Sequence, residues 1–252
     1  MSFDVAATAY DRFMGRFSAP LASALADWTR LPSAGSALDV GSGPGALTAV
    51  LVERLGAASV TAVDPSEPFV AAVRERFPGV DARVAVAEDL PFADQSFDAV
   101  LAELVVHFMT DADAGLREMV RVARPGGVVA ACVWDFENGR APHSPFLSFA
   151  ADETGRAAGG ARPGTARGDL ARRLADAGCR DLHETELEAT SVFADFDEWW
   201  DVHAMGIGSA AGALDGLDDA AVARVRGRAR EALGSGPITV TGTAWAARGL
   251  AP

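Results

Sequence analysis

The sequence contains no lysine, so all of its 22 basic residues are arginine, against 35 acidic residues. The formal charge of −13 argues against nucleic acid as a partner, because phosphate contacts depend on basic side chains that displace counterions. A compositional bias that also favours alanine and glycine explains the missing lysine most simply. Guanidinium groups that bind an anionic substrate are the alternative.

Cysteine and long apolar runs are scarce as well. The two cysteines, Cys132 and Cys179, have neither metal-ligand spacing nor a CxxC partner, so we expect buried free thiols and no metal. No run reaches about 18 apolar residues, and the N-terminus lacks a basic stretch followed by an apolar core. These absences predict a cytoplasmic protein with no membrane partner. Nothing in the sequence indicates an oligomeric state.

A glycine-rich stretch, Ser36 to Thr48, organises the rest of the chain. A short apolar run enters a turn that contains Gly41, Gly43 and Gly45, and a helical pattern leaves it. Glycine lets the backbone turn sharply and admits a ligand with no Cβ in the way, while a helix N-terminus offers free N–H groups. The stretch therefore predicts a strand, a ligand-binding turn and a helix.

Two acidic residues help to identify the ligand of this turn. The loop also satisfies the dinucleotide fingerprint, through Gly41, Gly43 and Ala46. However, Asp39 precedes the turn, where a carboxylate would repel a pyrophosphate but could hold the loop or accept from a cationic amine. Asp64 ends the next apolar strand, where a carboxylate can accept from ribose hydroxyls. The pair favours a nucleoside-like ligand with an amino-bearing tail over a dinucleotide.

With these residues in hand, the chain resembles the class I S-adenosylmethionine-dependent methyltransferases, in particular the small-molecule branch similar to ubiquinone/menaquinone methyltransferases. The resemblance covers Tyr10 to Trp134 well and the remainder in outline. It rests on four motifs in order: D-V-G-S-G-P-G at 39–45, V-D-P-S at 63–66, E-D-L-P-F-A-D-Q-S-F-D at 88–98 and L-R-E-M-V-R-V-A-R-P-G-G at 116–127.

The resemblance implies a Rossmann-like, doubly wound α/β fold. Its seven-stranded sheet would have the order 3-2-1-4-5-7-6, with strand 7 antiparallel. We expect a single methyltransferase domain over residues 1–252. Its parts are an N-terminal helical cap at 1–30, a cofactor-binding core at 31–134, and a C-terminal half at 135–252 with a helical lid at 195–233 between strands 6 and 7.

The resemblance also implies a binding site for S-adenosylmethionine, with S-adenosylhomocysteine as the product. Tyr10 and Arg16 are candidates for the methionine carboxylate or the substrate, Asp89 for the adenine amino group and the Leu90 N–H for a ring nitrogen. The full set of predicted cofactor contacts is Tyr10, Arg16, Asp39, Gly41, Ser42, Gly43, Gly45, Asp64, Pro65, Asp89, Leu90 and Glu103.

Methyl transfer needs alignment of the reactants and, for some acceptors, a base, but no metal or catalytic triad. His107, just past strand 4, is the first candidate for the base and Glu103 the second; a packed structural histidine is the alternative for His107. In the lid, Trp199, Trp200, His203 and Met205 are predicted to line a pocket for an apolar or aromatic small molecule, although such residues often form core.

Other interpretations remain open. His143 and His183 are expected to be structural. The arginines of the loop after strand 5, Arg140, Arg156, Arg162 and Arg167, belong to a solvated loop or face an acidic substrate. At the level of function, the alternatives are another S-adenosylmethionine-dependent reaction, such as aminopropyl transfer or cyclisation, and a non-catalytic cofactor-binding protein. A dinucleotide dehydrogenase is a more distant alternative.

Overall fold

The computed structural model describes residues 11–31, 33–155, 162–207 and 210–252. Seven strands form one sheet with the order β3-β2-β1-β4-β5-β7-β6. The strands are β1 Ala37–Val40, β2 Val60–Asp64, β3 Asp81–Val84, β4 Phe97–Glu103, β5 Ala123–Trp134, β6 Arg180–Phe193 and β7 Ile238–Leu250.

Helices flank this sheet on both faces. The α-helices are α1 Arg16–Thr29, α2 Ala46–Leu55, α3 Glu67–Arg76, α4 Ala112–Val122, α5 Ser144–Thr154, α6 Asp169–Asp176, α7 Phe196–Ala204 and α8 Asp219–Leu233. A π-helical turn, Asp11–Gly15, leads into α1, and a 3₁₀ turn, Val106–Phe108, follows β4. No helix of the described residues combines the length and the apolar character needed to cross a membrane.

The first five strands run parallel, while β7 is antiparallel to both of its neighbours. This arrangement confirms the predicted fold class, strand order and direction of strand 7. The β6–β7 pair closes at Phe193 and Ile238, so everything between those two residues projects from one end of a hairpin. Helices α7 and α8 lie in that connection, as predicted for the lid.

Two apolar layers cover the sheet because successive strand residues point to opposite faces. In β1, Ala37 packs in one layer, whereas Leu38 and Val40 pack in the other. The first layer is built on α1, α2, α3 and the lid helices, and the second on α4 and α6. All four residues of β1 are buried, which fits a central parallel strand covered on both sides.

Apolar and alternating residue patterns predict strand 4 from Phe97 with a continuation past the sheet to Met109, strand 5 at 128–134, strand 6 at 180–193 and strand 7 at 238–246. The structure differs from these predictions at several strand ends. β4 ends at Glu103 rather than continuing to Met109, because Leu104 has φ +60° and the chain turns there into the 3₁₀ turn. β5 begins at Ala123, five residues before the predicted start, with an irregular register after Phe97. β7 continues to Leu250 because it pairs with β5 and β6 along its length.

Candidate methyl-donor site

A cavity opens at the carboxyl ends of β1, β2 and β4, where parallel α/β sheets bind their ligands. It holds about 460 Å³, including its open mouth. We call it the glycine-loop cavity; its lining residues are Gly41, Gly43, Asp64, Pro65, Phe69, Glu103, Leu104, Val105 and Phe108. The charged side chains of this lining are both acidic, so the cavity suits a ligand that carries positive charge.

The glycine turn shapes one wall of this cavity. Gly41 and Gly43 have φ angles of +71° and +52°, in the left-handed region that favours glycine. A Cβ on Gly41 would lie 2.6 Å from Cγ1 of Val105. A Cβ on Gly43 would meet no atom within 4 Å. Gly41 therefore allows the turn to pack on the segment after β4, whereas Gly43 keeps open space in front of the turn.

Asp64 fastens the glycine turn to the end of β2. Its Oδ2 accepts from the Gly43 N–H at 2.9 Å and its Oδ1 from the Ser66 N–H at 2.8 Å. Burial raises the pKa of Asp64 above its usual range, and the two N–H groups oppose that shift. A carboxylate has about four acceptor positions, so both oxygens can still accept from ligand hydroxyls.

Two further carboxyl groups are buried close to the turn. Burial raises the pKa of Asp39 to about 7, although the Thr48 hydroxyl donates to its Oδ2 at 2.6 Å. Burial raises the pKa of Glu103 well above its usual range, and the charge of Asp39 raises it further. Asp39 Oδ1 and Glu103 Oε1 have no hydrogen-bond partner among the described residues. Both shifts would be reversed by a cationic ligand beside these oxygens.

The methyltransferase domain model matches residues 38–131, which hold the glycine turn and strands β1 to β4. Residues 38–131 are a methyltransferase domain. Together with the observed strand order, the match gives the chain the class I S-adenosylmethionine-dependent methyltransferase fold. The predicted family is thereby confirmed for residues 38–131.

Curated relatives support this domain over part of their length. The chain is 39% identical to an uncharacterized methyltransferase of Mycobacterium tuberculosis over 140 residues, which cover 56% of this chain and 54% of that protein. It is 40% identical to a demethylmenaquinone methyltransferase of Roseiflexus castenholzii over 121 residues, covering 47% of this chain and 48% of that protein. The chain thus matches about half the length of these relatives.

A solved structure is similar over nearly the whole chain. It belongs to a protein of Anaeromyxobacter dehalogenans assigned to the type II methyltransferases. The two share 26% of their residues, with a TM-score of 0.62 over 90% of this chain and 95% of that chain. The likeness therefore extends beyond the matched domain to the C-terminal half.

Some predicted cofactor contacts are not among the residues that line the glycine-loop cavity. Asp89 is exposed, and the Leu90 N–H donates to Glu118 Oε2 at 3.0 Å. A contact of that N–H with adenine would require Glu118 to move. Arg16 pairs with Glu198 of the lid at 2.8 Å, and its guanidinium lies over the ring of Phe193.

Two other predicted cofactor contacts, Ser42 and Gly45, help to form the glycine turn itself. The Ser42 N–H donates to the Val63 carbonyl at 3.0 Å, and Gly45 begins α2 with φ +103°. Pro65 belongs to the cavity wall. Tyr10 lies outside the described residues.

The lid residues predicted to contact substrate lie outside the glycine-loop cavity. Trp199, Trp200 and His203 are buried in an apolar cluster, and the ring centroids of Trp199 and His203 are 4.8 Å apart. His203 Nδ1 lies 2.7 Å from the Trp199 carbonyl oxygen and donates to it. Burial lowers the pKa of His203 to about 4. Met205 is 36% exposed. A role for these residues in substrate binding stays a prediction.

His107 is buried beside the cavity rather than on its wall. Its ring centroid lies 3.9 Å from that of Phe108, which does line the cavity. Burial lowers the pKa of His107 to about 3, and the charge of Arg162 lowers it further. The imidazole is therefore neutral at pH 7, and it is a weak base unless a negative charge beside it raises that pKa.

Sequence reasoning did not identify four apolar residues of the cavity wall: Phe69, Leu104, Val105 and Phe108. Leu104 occupies a backbone conformation that is uncommon for a side chain larger than glycine. Nothing in the local pattern signalled that turn, since the apolar run after Glu103 also fits a continuing strand. For Leu104, Val105 and Phe108, the available clue to a place in the cavity wall was their position directly after β4.

Proposed function

We propose that this protein transfers a methyl group from S-adenosylmethionine to a small-molecule acceptor. The observation that carries the proposal is the glycine-loop cavity, an acidic, glycine-walled site at the carboxyl edge of a methyltransferase-domain sheet. A dinucleotide pyrophosphate would face Asp64 and Glu103 there, with no arginine among the residues that line the cavity. A ligand with a sulfonium and an ammonium group fits that charge.

The chemistry of several residues at the cavity supports this donor. We assign Asp64 to the ribose hydroxyls, since each of its oxygens accepts from one backbone N–H and keeps a further acceptor position. Glu103 Oε1 is buried and unpartnered among the described residues, and we assign it to the α-ammonium group. The open space before Gly43 admits the ligand to the backbone. We assign Asp39 an indirect role: it accepts from the Thr48 hydroxyl and thereby anchors the start of α2.

When bound, S-adenosylmethionine supplies an electrophilic methyl carbon on a sulfonium. The chain must hold that carbon in line with the nucleophile and exclude water. Phe69, Leu104 and Phe108 supply apolar walls for this purpose. We assign the removal of a proton from the acceptor to His107, whose ring abuts Phe108, with Glu103 as the second candidate.

The proposal for the class of acceptor, and for the residues that enclose it, rests on the lid and on the relatives. A relative is named a demethylmenaquinone methyltransferase, which supports a small aromatic or apolar acceptor. The lid residues Trp199, Trp200, His203 and Met205 would enclose it. The formal charge of −13 supports the absence of a nucleic acid partner. We further propose a cytoplasmic protein in which residues 1–252 act as one unit of cap, core and lidded C-terminal half.

Calorimetric titration with S-adenosylmethionine, S-adenosylhomocysteine and NAD tests the donor assignment. We expect micromolar binding of the first two and none of NAD. Asp64→Ala should weaken binding of S-adenosylhomocysteine about 100-fold, because it removes a charged acceptor and releases the turn. Glu67→Gln, an exposed acid at the start of α3, is the matched control and should leave affinity unchanged.

Preference for NAD, or equal affinity in wild type and Asp64→Ala, would contradict the donor assignment. Product analysis then separates methyl transfer from the other reactions of this cofactor. S-adenosylhomocysteine accumulates in methyl transfer, whereas aminopropyl transfer and cyclisation do not produce it. A protein that binds the donor and yields no product with any acceptor would be the non-catalytic alternative.

A further inference from the structure

Titratable side chains form a row across the carboxyl edge of the sheet. In the order of the strands, they are Asp64 of β2, Asp39 of β1, Glu103 of β4 and Cys132 of β5. The residue two positions earlier in each of these strands packs in the first apolar layer. Because residues two positions apart in a strand point to the same face, all four side chains lie on that face of the sheet.

Gly41 leaves the centre of this row open. The register of β1 with β2 and β4 places Gly41 at the level of Asp64 and Glu103, with Asp39 one pleat deeper. Neighbouring strands are about 4.8 Å apart, so three carboxyl groups surround a position that carries no side chain. The glycine-loop cavity lies in front of that position, since Gly41, Asp64 and Glu103 all line it.

The three carboxyl groups differ in how well they are compensated. Two backbone N–H groups donate to Asp64, at 2.8 and 2.9 Å. Asp39 is 1% exposed and accepts from the Thr48 hydroxyl through Oδ2, which leaves Oδ1 unpartnered among the described residues. Glu103 is 9% exposed, and its Oε1 is likewise unpartnered there. A buried carboxyl group with few donors and a second one nearby favours its neutral form.

The titratable groups that face this pair do not offset its charge. The charge of Asp64 raises the pKa of Asp39 further. Cys132 pairs with Glu103 in the strand register, and burial raises the pKa of its thiol well above the usual range, so it is neutral. His107 is neutral at pH 7 as well. Among the described residues, no positive charge contributes to the pKa of either member of the pair.

We propose that Asp39 and Glu103 retain a proton in the ligand-free protein and release it when the α-ammonium group of the methyl donor binds. The inference rests on the proposed function, because it concerns how that same site takes up its donor. The O–H bond of one carboxyl group breaks, its proton passes to solvent, and the carboxylate that remains pairs with the ammonium group. The ligand brings one positive charge and one proton leaves, so the charge of the site is balanced.

The release of a proton makes donor affinity depend on pH. Below the pH at which the pair ionises, binding must remove the proton, so affinity should rise about tenfold per pH unit for one released proton. A ligand that lacks the ammonium group does not require the carboxylate. Its affinity should therefore stay constant over the same range.

Isothermal titration calorimetry of the full chain at pH 6.5, in phosphate and in imidazole buffer, counts the released protons. The two buffers take up protons with different enthalpies, so the difference in observed heat gives the number. S-adenosylhomocysteine should release about one proton, since an α-amino group with a pKa near 7.7–8.0 stays charged at this pH. The comparison ligand, 5′-methylthioadenosine, keeps the nucleoside and the thioether but has no ammonium group, and it should release none.

Variants identify the group that gives up the proton. Glu103→Gln and Asp39→Asn each place a neutral group where the ligand-free protein holds a neutral one, and melting temperatures confirm that they fold. Loss of proton release in one of them assigns the proton to that carboxyl group. Glu67→Gln, an exposed acid at the start of α3, is the matched control and should release as many protons as the wild type.

Three results would overturn the inference: no proton release with S-adenosylhomocysteine, equal release with 5′-methylthioadenosine, or unchanged release in both Glu103→Gln and Asp39→Asn. The comparison of the two ligands uses the wild type and does not depend on any variant. Absence of S-adenosylhomocysteine binding between pH 5.5 and pH 7.5 would contradict the proposed function. Binding without proton release would contradict this inference alone.

Discussion

The glycine-loop cavity differs in chemistry from a second, buried region, the histidine cluster. This cluster consists of His107 and His143, which both contact the ring of Phe136, and of Phe13, which contacts His143. The cavity is acidic: burial raises the pKa values of Asp64 and Glu103, which line it. In the cluster, burial lowers the pKa values of the two histidines to about 3, so both imidazoles are neutral at pH 7. Burial favours the neutral form of each set of groups, and each would recover its charge beside a ligand of opposite sign. The acidic lining of the cavity supports the proposal of a cationic donor.

The two regions also differ in how they are built. The cavity belongs to residues 38–131, in which a strand, a turn and a helix follow one another along the chain. The cluster joins Phe13, next to α1, with residues after β4 and β5. Substitutions in the cavity should therefore leave the cluster intact, and substitutions in the cluster should leave the cavity intact.

The largest expected effect concerns the aromatic core of the lid. Trp199→Ala should lower the free energy of unfolding by about 3–5 kcal/mol, because Trp199 is fully buried against Phe146 and Phe196. Chemical denaturation measures this cost. The folded variant should bind S-adenosylhomocysteine with wild-type affinity, since no element of the cavity is touched.

Met205→Ala is the control for that prediction. Met205 is a partly exposed residue of the same lid, so its removal should change stability by less than about 0.5 kcal/mol. A cost below about 1 kcal/mol for Trp199→Ala would show that this indole does not support the core. It would then favour a substrate-facing position for Trp199.

The next effect separates two glycines of the donor side. Gly43→Ala should weaken binding of S-adenosylhomocysteine about 100-fold, or about 2.7 kcal/mol, because the new methyl group would occupy the space reserved for the ligand. Its cost in stability should stay near 1 kcal/mol, the strain of a positive φ. Titration and chemical denaturation give the two numbers.

Gly41→Ala provides the matched comparison within the same turn. Its Cβ would collide with Val105, so it should lose stability by about 1–3 kcal/mol more than Gly43→Ala. Equal stability losses in the two variants would contradict the assignment of Gly43 to the ligand and Gly41 to packing.

The smallest effect is a pH dependence of opposite sign in the two regions. The folded-state pKa of Asp39, about 7, lies above its ordinary value of 3.8, so the native state binds more protons than the unfolded state between those values. Asp39 therefore lowers stability as the pH rises. The free energy of unfolding of Asp39→Asn should therefore rise by about 2 kcal/mol relative to that of the wild type between pH 5 and pH 8.

His143→Asn should give the reverse trend. Burial lowers the pKa of His143 from 6.5 to about 3, so the native state binds fewer protons between those values. The wild type therefore loses stability as the pH falls through that range. The free energy of unfolding of His143→Asn should rise relative to that of the wild type over the same range. Urea unfolding at pH 4.5 and pH 8 measures both trends. If the stability of both variants relative to the wild type changed with pH in the same direction, the proposed contrast between the two regions would be wrong.

Much of the donor side could be predicted from the sequence because its signals are local. The glycine spacing, the acid before the turn and the acid that ends β2 are short-range features, and the structure places Asp64 and Gly43 in contact at 2.9 Å. The order of the strands came from the resemblance to a family. The bounds of β6 were predicted from an alternating pattern and agree with the structure.

The histidine cluster was less predictable. His143 was expected to be structural. It lies in no motif, and β5 separates it from His107 along the chain. Periodicity reports which face of an element a residue occupies, but it does not report which distant side chains will meet.

The sequence by itself determined the fold class and the glycine turn with its acids, because a turn conformation and a hydrophobic pattern are properties of a few neighbouring residues. Only the tertiary structure decided that Leu104 turns the chain out of β4. It also decided that His107 and His143 both pack against Phe136, with their ring nitrogens unpartnered among the described residues. Those placements depend on the sheet, which brings the ends of β4 and β5 side by side and buries the segments that leave them. Burial then sets the charge of each side chain, and burial is a property of the assembled fold.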